Sequence, residues 1–477
     1  MVVGEVAIET DVVVIGGGPG GYTAAIRLGQ LGKSVVLIEK EQLGGVCLHS
    51  GCIPSKTLIH SAQQFHQLSH LGNMGIHLLE GTATFDQSAW QTWKSGIISQ
   101  LNKGISQLCK DNEVTVVKGQ ASFLPGDRIR VETDGDHETY LYKHAIIATG
   151  SRPSIPSFLP MDGHYFLDST AALQLQEVPS SLSIIGGGYI GIELGMAFAK
   201  LGAKVTIIEM ADRILPQTAK HLATEVIKRA KKLGITLETA TRVEQAFIDN
   251  EQVYLHLTSE ESGSKVLVSD KALVTMGRKP NTEGMGLEQA GIPVNEQGYI
   301  PVDQECRTKI PHIFAIGDIT PGPALAHRAS KQGMTAAEVI GGLPSAVDSP
   351  YIPYVIFSDP PIAGVGMTKE EAERQGYQVK TGTFPFRANG MALATNETAG
   401  FAEVVIDEQS HLLLGMHAVG EGAANLIGEG TLALELCARA EDLALTIHPH
   451  PTLAEGWLEA AQAALGHSIH MINKVNL

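Results

Sequence analysis

Basic residues, aromatics, cysteines and long apolar runs are all scarce in this chain, and each shortage excludes something. The 35 Lys and Arg are outnumbered by 51 Asp and Glu, giving a net charge of −16 over 477 residues. Such a surface repels phosphate backbones and no dense basic tract offsets it, so nucleic acid is not an expected partner, whereas a basic protein segment is. No stretch approaches the roughly 20 apolar residues of a membrane span. No basic n-region precedes the first apolar strand, near residue 11, so neither a span nor a signal peptide is expected, and a cytoplasmic location is. Five cysteines, an odd number, are too few for a disulfide-stapled secreted fold. With aromatics at 5%, aliphatic packing against sheets has to supply the core.

What is present is length and repetition. A chain of 477 residues is too long for one core and suggests about three domains. Residues 11–40, DVVVIGGGPGGYTAAIRLGQLGKSVVLIEK, are echoed by residues 181–210, SLSIIGGGYIGIELGMAFAKLGAKVTIIEM. Gly16, Gly18, Gly21, Gly32 and Glu39 recur 170 positions later as Gly186, Gly188, Gly191, Gly202 and Glu209. Each copy predicts a buried parallel strand, a glycine-rich turn, a helix of about three turns and a second strand closing on the glutamate. In such a unit the first glycine permits the tight turn. The second lets the backbone approach a pyrophosphate, and the third lets the helix pack on the strand. The pyrophosphate sits on the helix N-terminus and the acid accepts from ribose hydroxyls. Two dinucleotides are therefore expected. A carboxylate at Glu39 and Glu209 repels a ribose 2′-phosphate, which favours NAD over NADP, although Arg213 lies near the second acid.

Cys47 and Cys52 lie within GGVCLHSGCIPSK, residues 44–56, shortly after Glu39. A bridge between them closes only if the intervening turn departs from ideal helix, and such a small strained loop is reducible. Three other readings stand beside a redox pair: a structural disulfide, a zinc site lacking evident further ligands, and two unpaired buried thiols. Cys109, Cys306 and Cys437 read as small packing residues. Farther on, HAIIATGSRP (residues 144–153) and TKIPHIFAIGD (308–318) each read as an apolar strand ending in a turn. After about residue 350 the pattern changes to antiparallel strands, with helices expected over residues 424–440 and 453–465.

Taken together, GGVCLHSGCIPSK, the paired fingerprints, GRKPN, LAHRAS and the C-terminal IHPHPTLAEG resemble the class I pyridine nucleotide–disulfide oxidoreductases over essentially the whole chain. Among them the likeness is to dihydrolipoamide dehydrogenases, E3 of 2-oxoacid dehydrogenase complexes. The resemblance implies an α/β fold of two Rossmann-like domains, with an NAD domain (151–277) inserted into an FAD domain (1–150 and 278–347). A C-terminal α+β dimerisation domain (348–477) follows. It implies a Cys47–Cys52 redox disulfide, with Cys52 next to the flavin and Cys47 exchanging with the external dithiol. Lys56 is paired with Glu193 near the flavin, and His450 with Glu455 forms a base dyad given to the partner subunit; His448 is the decoy beside it. The FAD contacts it implies are Gly16, Gly18, Gly21, Glu39, Lys40, Gly45, Val46, Lys56, Ala121, Thr149, Gly150, Ser151, Asp318, Leu325, Ala326 and His327. On the NAD side they are Gly186, Gly188, Tyr189, Ile190, Gly191, Glu193, Glu209, Val243 and Gly277, with Tyr189 shielding the nicotinamide pocket.

The implied partners are a second copy of the chain, dihydrolipoyl groups on E2 or H-protein, and the basic subunit-binding domain of E2. A disulfide reductase acting on another thiol substrate is the alternative. The chain departs from the family pattern at His49-Ser50, usually Asn-Val, where His49 reads only as a neighbour of the pair. It departs again at FSDPP (residues 357–361), commonly Tyr-Thr-x-Pro-Glu, and at Gln332, frequently an acid. The first is expected to tune the site without abolishing it, and the other two to bear on the interface and sheet edge more than on chemistry.

Overall fold

In the computed structural model, which describes residues 7–76, 83–261 and 263–472, the two repeats build two separate sheets. In the first, strand Ala7–Ile15 runs parallel between Val35–Glu39 and His137–Ile147. In the second, Ser181–Ile185 runs parallel between Lys204–Ile208 and Lys271–Val274. The register repeats with the sequence, since Val12 pairs with Val35 and Leu182 with Val205, the same offset in each. Both central strands are buried on both faces, as an all-β-branched and Leu/Ile run requires.

The first sheet is completed from far along the chain. Strand Ile313–Ala315 pairs in parallel with the second half of His137–Ile147, whose first half instead joins an antiparallel ribbon of Gln120–Leu124 and Arg128–Glu132. Helix Ala326–Ile340 then packs on helix Pro19–Gln30. A Cβ on Gly333 would lie 2.4 Å from the Gly20 carbonyl oxygen, so glycine is what lets these helices touch. Where the chain crosses between the two sheets, Ser151–Pro153 and Arg278–Pro280 form a short antiparallel clasp.

The C-terminal part is a five-stranded antiparallel sheet in the order Tyr354–Ile356, Ile362–Gly366, Leu413–Val419, Phe401–Asp407, Val379–Pro385. Helices Ala423–Glu435 and Glu455–Leu465 cover one face around buried Trp457. The expected helix over 424–440 is in fact two. The first stops at Glu435, because Cys437 takes a left-handed φ of 50°, and Ala440–Leu445 starts again with its own acidic first turn.

Helix Cys52–Gln67 packs on helix Tyr189–Lys200 of the second sheet's unit. Leu58, Ile192, Phe198 and Ile356 share one apolar core, so the redox helix is tied to the second sheet's unit and to the C-terminal sheet.

The outer sheet also buries a histidine. His417 is 1% exposed; its Nε2 meets the Met367 carbonyl at 3.1 Å and its Nδ1 has no hydrogen-bond partner among the described residues. Burial holds its pKa below the ordinary 6.5, the His221 charge adds to this, and the Met367 bond, Glu403 and Glu371 oppose it. A depressed folded value means that the unfolded chain binds the proton first, so stability falls as pH drops below 6.5. His221, raised by its bond to Glu403, contributes in the opposite direction. The denaturant midpoint of the wild type is expected to fall as pH drops below 6.5, and His417→Gln should flatten that fall relative to its own value at neutral pH.

Candidate functional site

The two glycine turns have one geometry. Gly16 and Gly186 hold φ of 102° and 111°, and a Cβ on either would come within 2.5 Å of a carbonyl oxygen, of Ala148 and Thr275 respectively. A Cβ on Gly21 or Gly191 would lie 1.8 or 2.2 Å from the oxygen of the first glycine in its own turn. Above Gly18 and Gly188, in contrast, the space is open to at least 4 Å. Each of these two residues is the N-cap of a twelve-residue helix with no capping side chain, which leaves free N–H groups facing the opening. Glu39 accepts from the N–H of Gly17 (2.7 Å) and Glu41 (2.8 Å), and Glu209 likewise from Gly187 (2.7 Å) and Ala211 (2.8 Å). A dinucleotide's phosphates and ribose fit this arrangement at both turns.

A cleft of about 880 Å³ starts at Glu39 and Lys40, passes Gly16, Gly18 and Gly45, and reaches Val46, Cys47, Cys52 and Lys56. Thr149, Gly150, Ser151, Asp318 and Ala326 line its middle, and half-exposed Tyr189, with Ile190 and Glu193, its far wall. Gly45 sits so close to Gly18 that its Cβ would be 2.7 Å from the Gly18 Cα, which lays the redox segment over the first turn. Gly21, Gly186, Gly188, Gly191 and Glu209 frame the turns outside the cleft. Ala121 and Val243 are buried in strands, and Gly277 and Leu325 lie just outside the lining. His327 turns away, its Nε2 on the Pro353 carbonyl at 2.7 Å.

Cys47 belongs to the short helix Gly45–His49, and Cys52 begins the next one. Between them Ser50 and Gly51 leave helical geometry, Gly51 with φ −128° and ψ −108°. The cysteines are free thiols hydrogen-bonded to each other. That bond lowers the Cys52 pKa to about 7, with the Lys56 charge assisting against burial, while the same bond and burial raise Cys47. The pair thus carries one proton readily lost, on the sulfur nearer the cation. Among the described residues no group of three His, Cys, Asp or Glu is placed to hold a metal. His49 spends its Nε2 on the Leu43 carbonyl (2.8 Å), so it braces the loop.

Lys56 Nζ donates to Glu193 Oε2 at 2.8 Å, and Glu193 is only 3% exposed. His450 Nδ1 lies 2.8 Å from Glu455 Oε1, with the imidazole largely exposed and neither residue in the cleft. His448 has its own carboxylate, Glu429, at 2.8 Å, and its Nδ1 is held by the Thr446 carbonyl, leaving no ring nitrogen free.

Three groups near the site were not read as site residues from sequence. Arg278 donates to Ser151 Oγ (2.8 Å), which in turn donates to Asp318 Oδ2 (2.6 Å). Buried Gln332 accepts from Gly317 N–H at 2.8 Å, directly under the Gly-Asp turn. Phe357 gives its backbone N–H to Glu193 Oε1 (2.8 Å) and its ring to Lys56 (4.6 Å). The expectation that Gln332 and the FSDPP segment concern the interface and sheet edge is therefore corrected. Both were visible as departures, but only the fold brings them to the site.

The model of the pyridine nucleotide-disulphide oxidoreductases matches residues 10–333, and that of their dimerisation domain residues 352–461. The chain belongs to this family. It is 49% identical to a dihydrolipoyl dehydrogenase of Geobacillus stearothermophilus, over 99% of this chain and all of that one. A Halobacterium salinarum protein of the same name is 45% identical with the same coverage. Among solved structures, LpdA from Mycobacterium tuberculosis superposes with a TM-score of 0.88 at 26% identity, covering 95% of this chain and 99% of that one. The HOCl-induced flavoprotein disulfide reductase RclA of Escherichia coli does so with 0.84 at 29%, with the same coverage.

As a pyridine nucleotide–disulphide oxidoreductase the chain uses FAD and NAD, and the dimerisation domain makes it a homodimer. Leu432, Leu436, Leu445 and Ile447, all 60% or more exposed in the single chain, lie in that domain. Burying such side chains favours association by several kcal/mol.

The ion pair allows a check that needs no turnover. Lys56→Met leaves Glu193 buried with only a backbone donor, so a loss of about 3 kcal/mol in unfolding free energy is expected. Adding Glu193→Leu should recover most of it, giving a coupling well above 1 kcal/mol in a double-mutant cycle.

Proposed function

We propose that the protein is a dihydrolipoamide dehydrogenase, oxidising dihydrolipoamide to lipoamide and reducing NAD⁺ to NADH as E3 of a 2-oxoacid dehydrogenase complex. What carries the reading is the Cys47–Cys52 pair, set in a cleft between two dinucleotide turns, in a chain 44–49% identical to dihydrolipoyl dehydrogenases along its whole length. The chemistry FAD supplies when bound is two-electron transfer between the reduced pair and NAD⁺.

Roles for this chain's residues follow. The partner subunit's His450, its Nδ1 bonded to Glu455, keeps Nε2 free to take a proton from a substrate thiol. The thiolate attacks the Cys47 sulfur of the oxidised pair and expels Cys52 as thiolate, the sulfur whose pKa the surroundings lower to about 7. The substrate's second thiol then displaces Cys47, releasing cyclic lipoamide. Two electrons now rest on the pair. One proton returns from His450 to Cys47 and the other leaves to solvent. Lys56 keeps a positive charge beside the pair, and Glu193 holds it there. Glu39, the glycine turns, Ser151 and Asp318 hold FAD. Glu209, with Gly186 to Gly191 and Tyr189, holds NAD, and Glu209 disfavours a 2′-phosphate.

The same reading divides the chain into FAD (1–150 and 278–347), NAD (151–277) and interface (348–477) units. It is supported by Ile313–Ala315 completing the first sheet and Lys271–Val274 the second. It also assigns the enzyme to the cytoplasm, serving dihydrolipoyl groups on E2 or H-protein. The excess of negative charge suits docking of the basic subunit-binding domain of E2, and that affinity is expected to fall as salt rises from about 0.05 to 0.5 M. An affinity independent of salt would remove the electrostatic argument.

The central test is NAD⁺ reduction by dihydrolipoamide, with NADP⁺ in place of NAD⁺ and reduced glutathione in place of dihydrolipoamide as controls. NAD⁺ turnover is expected to dominate, to vanish in Cys47→Ser and to fall by about 10²–10⁴ in His450→Gln. Heterodimers of one Cys47→Ser and one His450→Gln protomer should regain half the wild-type rate, because one of their two sites then holds both intact groups. Heterodimers as inactive as either parent would show that the dyad does not serve across the dimer.

A further inference from the structure

The Lys56 ammonium has three hydrogens, and among the described residues its only hydrogen-bonding partner is Glu193 Oε2. A four-carbon stem with a single hydrogen-bonded partner is free to swing. The other carboxylate oxygen accepts from the backbone N–H of Phe357, and the ammonium bonds Oε2 alone. The Phe357 ring lies 4.6 Å from Nζ, inside the range at which a ring face attracts a cation.

The three residues come from three parts of the chain: the redox helix, the helix of the second glycine turn, and the loop after strand Tyr354–Ile356 of the C-terminal sheet. That loop is itself anchored. Asp359 accepts from Lys200 (2.8 Å) and Arg229 (2.9 Å), and Ser358 Oγ bonds the Pro360 carbonyl (2.7 Å). Of these anchors Ser358 is a departure from the family pattern and Asp359 stands at its variable position; together they fix where Phe357 stands.

We propose that Phe357 is a positioning residue for the redox centre, its ring and backbone N–H together fixing the Lys56 ammonium beside Cys52. The inference rests on the proposed role of the pair. The groups facing Cys52 are Cys47, Lys56, Glu193 and Tyr189, and Lys56 is the only cation among them. Loosening it weakens the stabilisation of the Cys52 thiolate.

The test replaces Phe357 in the reduced holoenzyme with mono- and difluorophenylalanine, which keep the ring's shape while draining its face of negative potential. Phe357→Leu and Phe357→Tyr complete the series. The readout is the pH midpoint of Cys52 alkylation by iodoacetamide, followed on the Cys52 peptide. The midpoint should climb with each fluorine, with Phe357→Leu at the far end, corresponding to a two- to fivefold loss of thiolate, about 0.3–0.7 pH unit. Phe357→Tyr should match the wild type. A midpoint that does not move with fluorination overturns the proposal, even if Phe357→Leu is perturbed, because the ring would then act by packing alone. Alkylation needs no dithiol substrate, so the result stands apart from whether dihydrolipoamide proves to be the substrate.

Discussion

The architecture depends on two places where the backbone must come closer to itself than any side chain permits. At Gly21 and Gly191 a Cβ would fall about 2 Å from the carbonyl oxygen of the turn's first glycine, well inside van der Waals contact. Only with that approach can the helix start directly above the strand, and only then do its free N–H groups face the cleft. Glu39 and Glu209 close each turn from the far side by accepting two backbone N–H groups apiece. The carboxylates are therefore positioned before any ribose arrives, and binding does not have to order them.

The close approach also sets the long-range assembly. Because the first turn is tight, Gly45 can lie on Gly18, and the redox segment starts from a fixed point. The break at Ser50–Gly51 then lets Cys52 begin a new helix that leans on Tyr189–Lys200. Lys56, one turn along, meets Glu193, one turn into its own helix. An ion pair between residues 137 apart is thus a consequence of two local turns and one helix contact. Its low exposure makes it a registry device more than a source of stability.

The fold was legible in the sequence wherever a pattern was local. The repeated strand–turn–helix units, their ribose acids, the Cys47–Cys52 segment and the change to antiparallel strands after residue 350 all show in short windows. The helix predicted over 424–440 misjudged an interruption that carries no glycine or proline, since Cys437 adopts the left-handed conformation itself. What sequence could not supply was adjacency across units. Phe357 and Gln332 stood out as departures from the family pattern, but nothing local says that one reaches Glu193 and the other the turn before Asp318. Arg278 had a cue in GRKPN; its bond to Ser151 required the antiparallel clasp to be seen.

One chain holds the sulfurs but not the base. Cys47 and Cys52 sit in the cleft, while His450, which of the two histidines in IHPHPTLAEG is the one with both a carboxylate and a free ring nitrogen, stands exposed outside it. His448 is fully occupied by Glu429 and Thr446. Under the proposed function this exposed imidazole acts when the second subunit brings a thiol to it. The exposed Leu432, Leu436, Leu445 and Ile447 provide the apolar surface for that association. Under the proposed function dimerisation is then part of the chemistry: the charge beside the pair is set within one chain, and the proton is taken by the other.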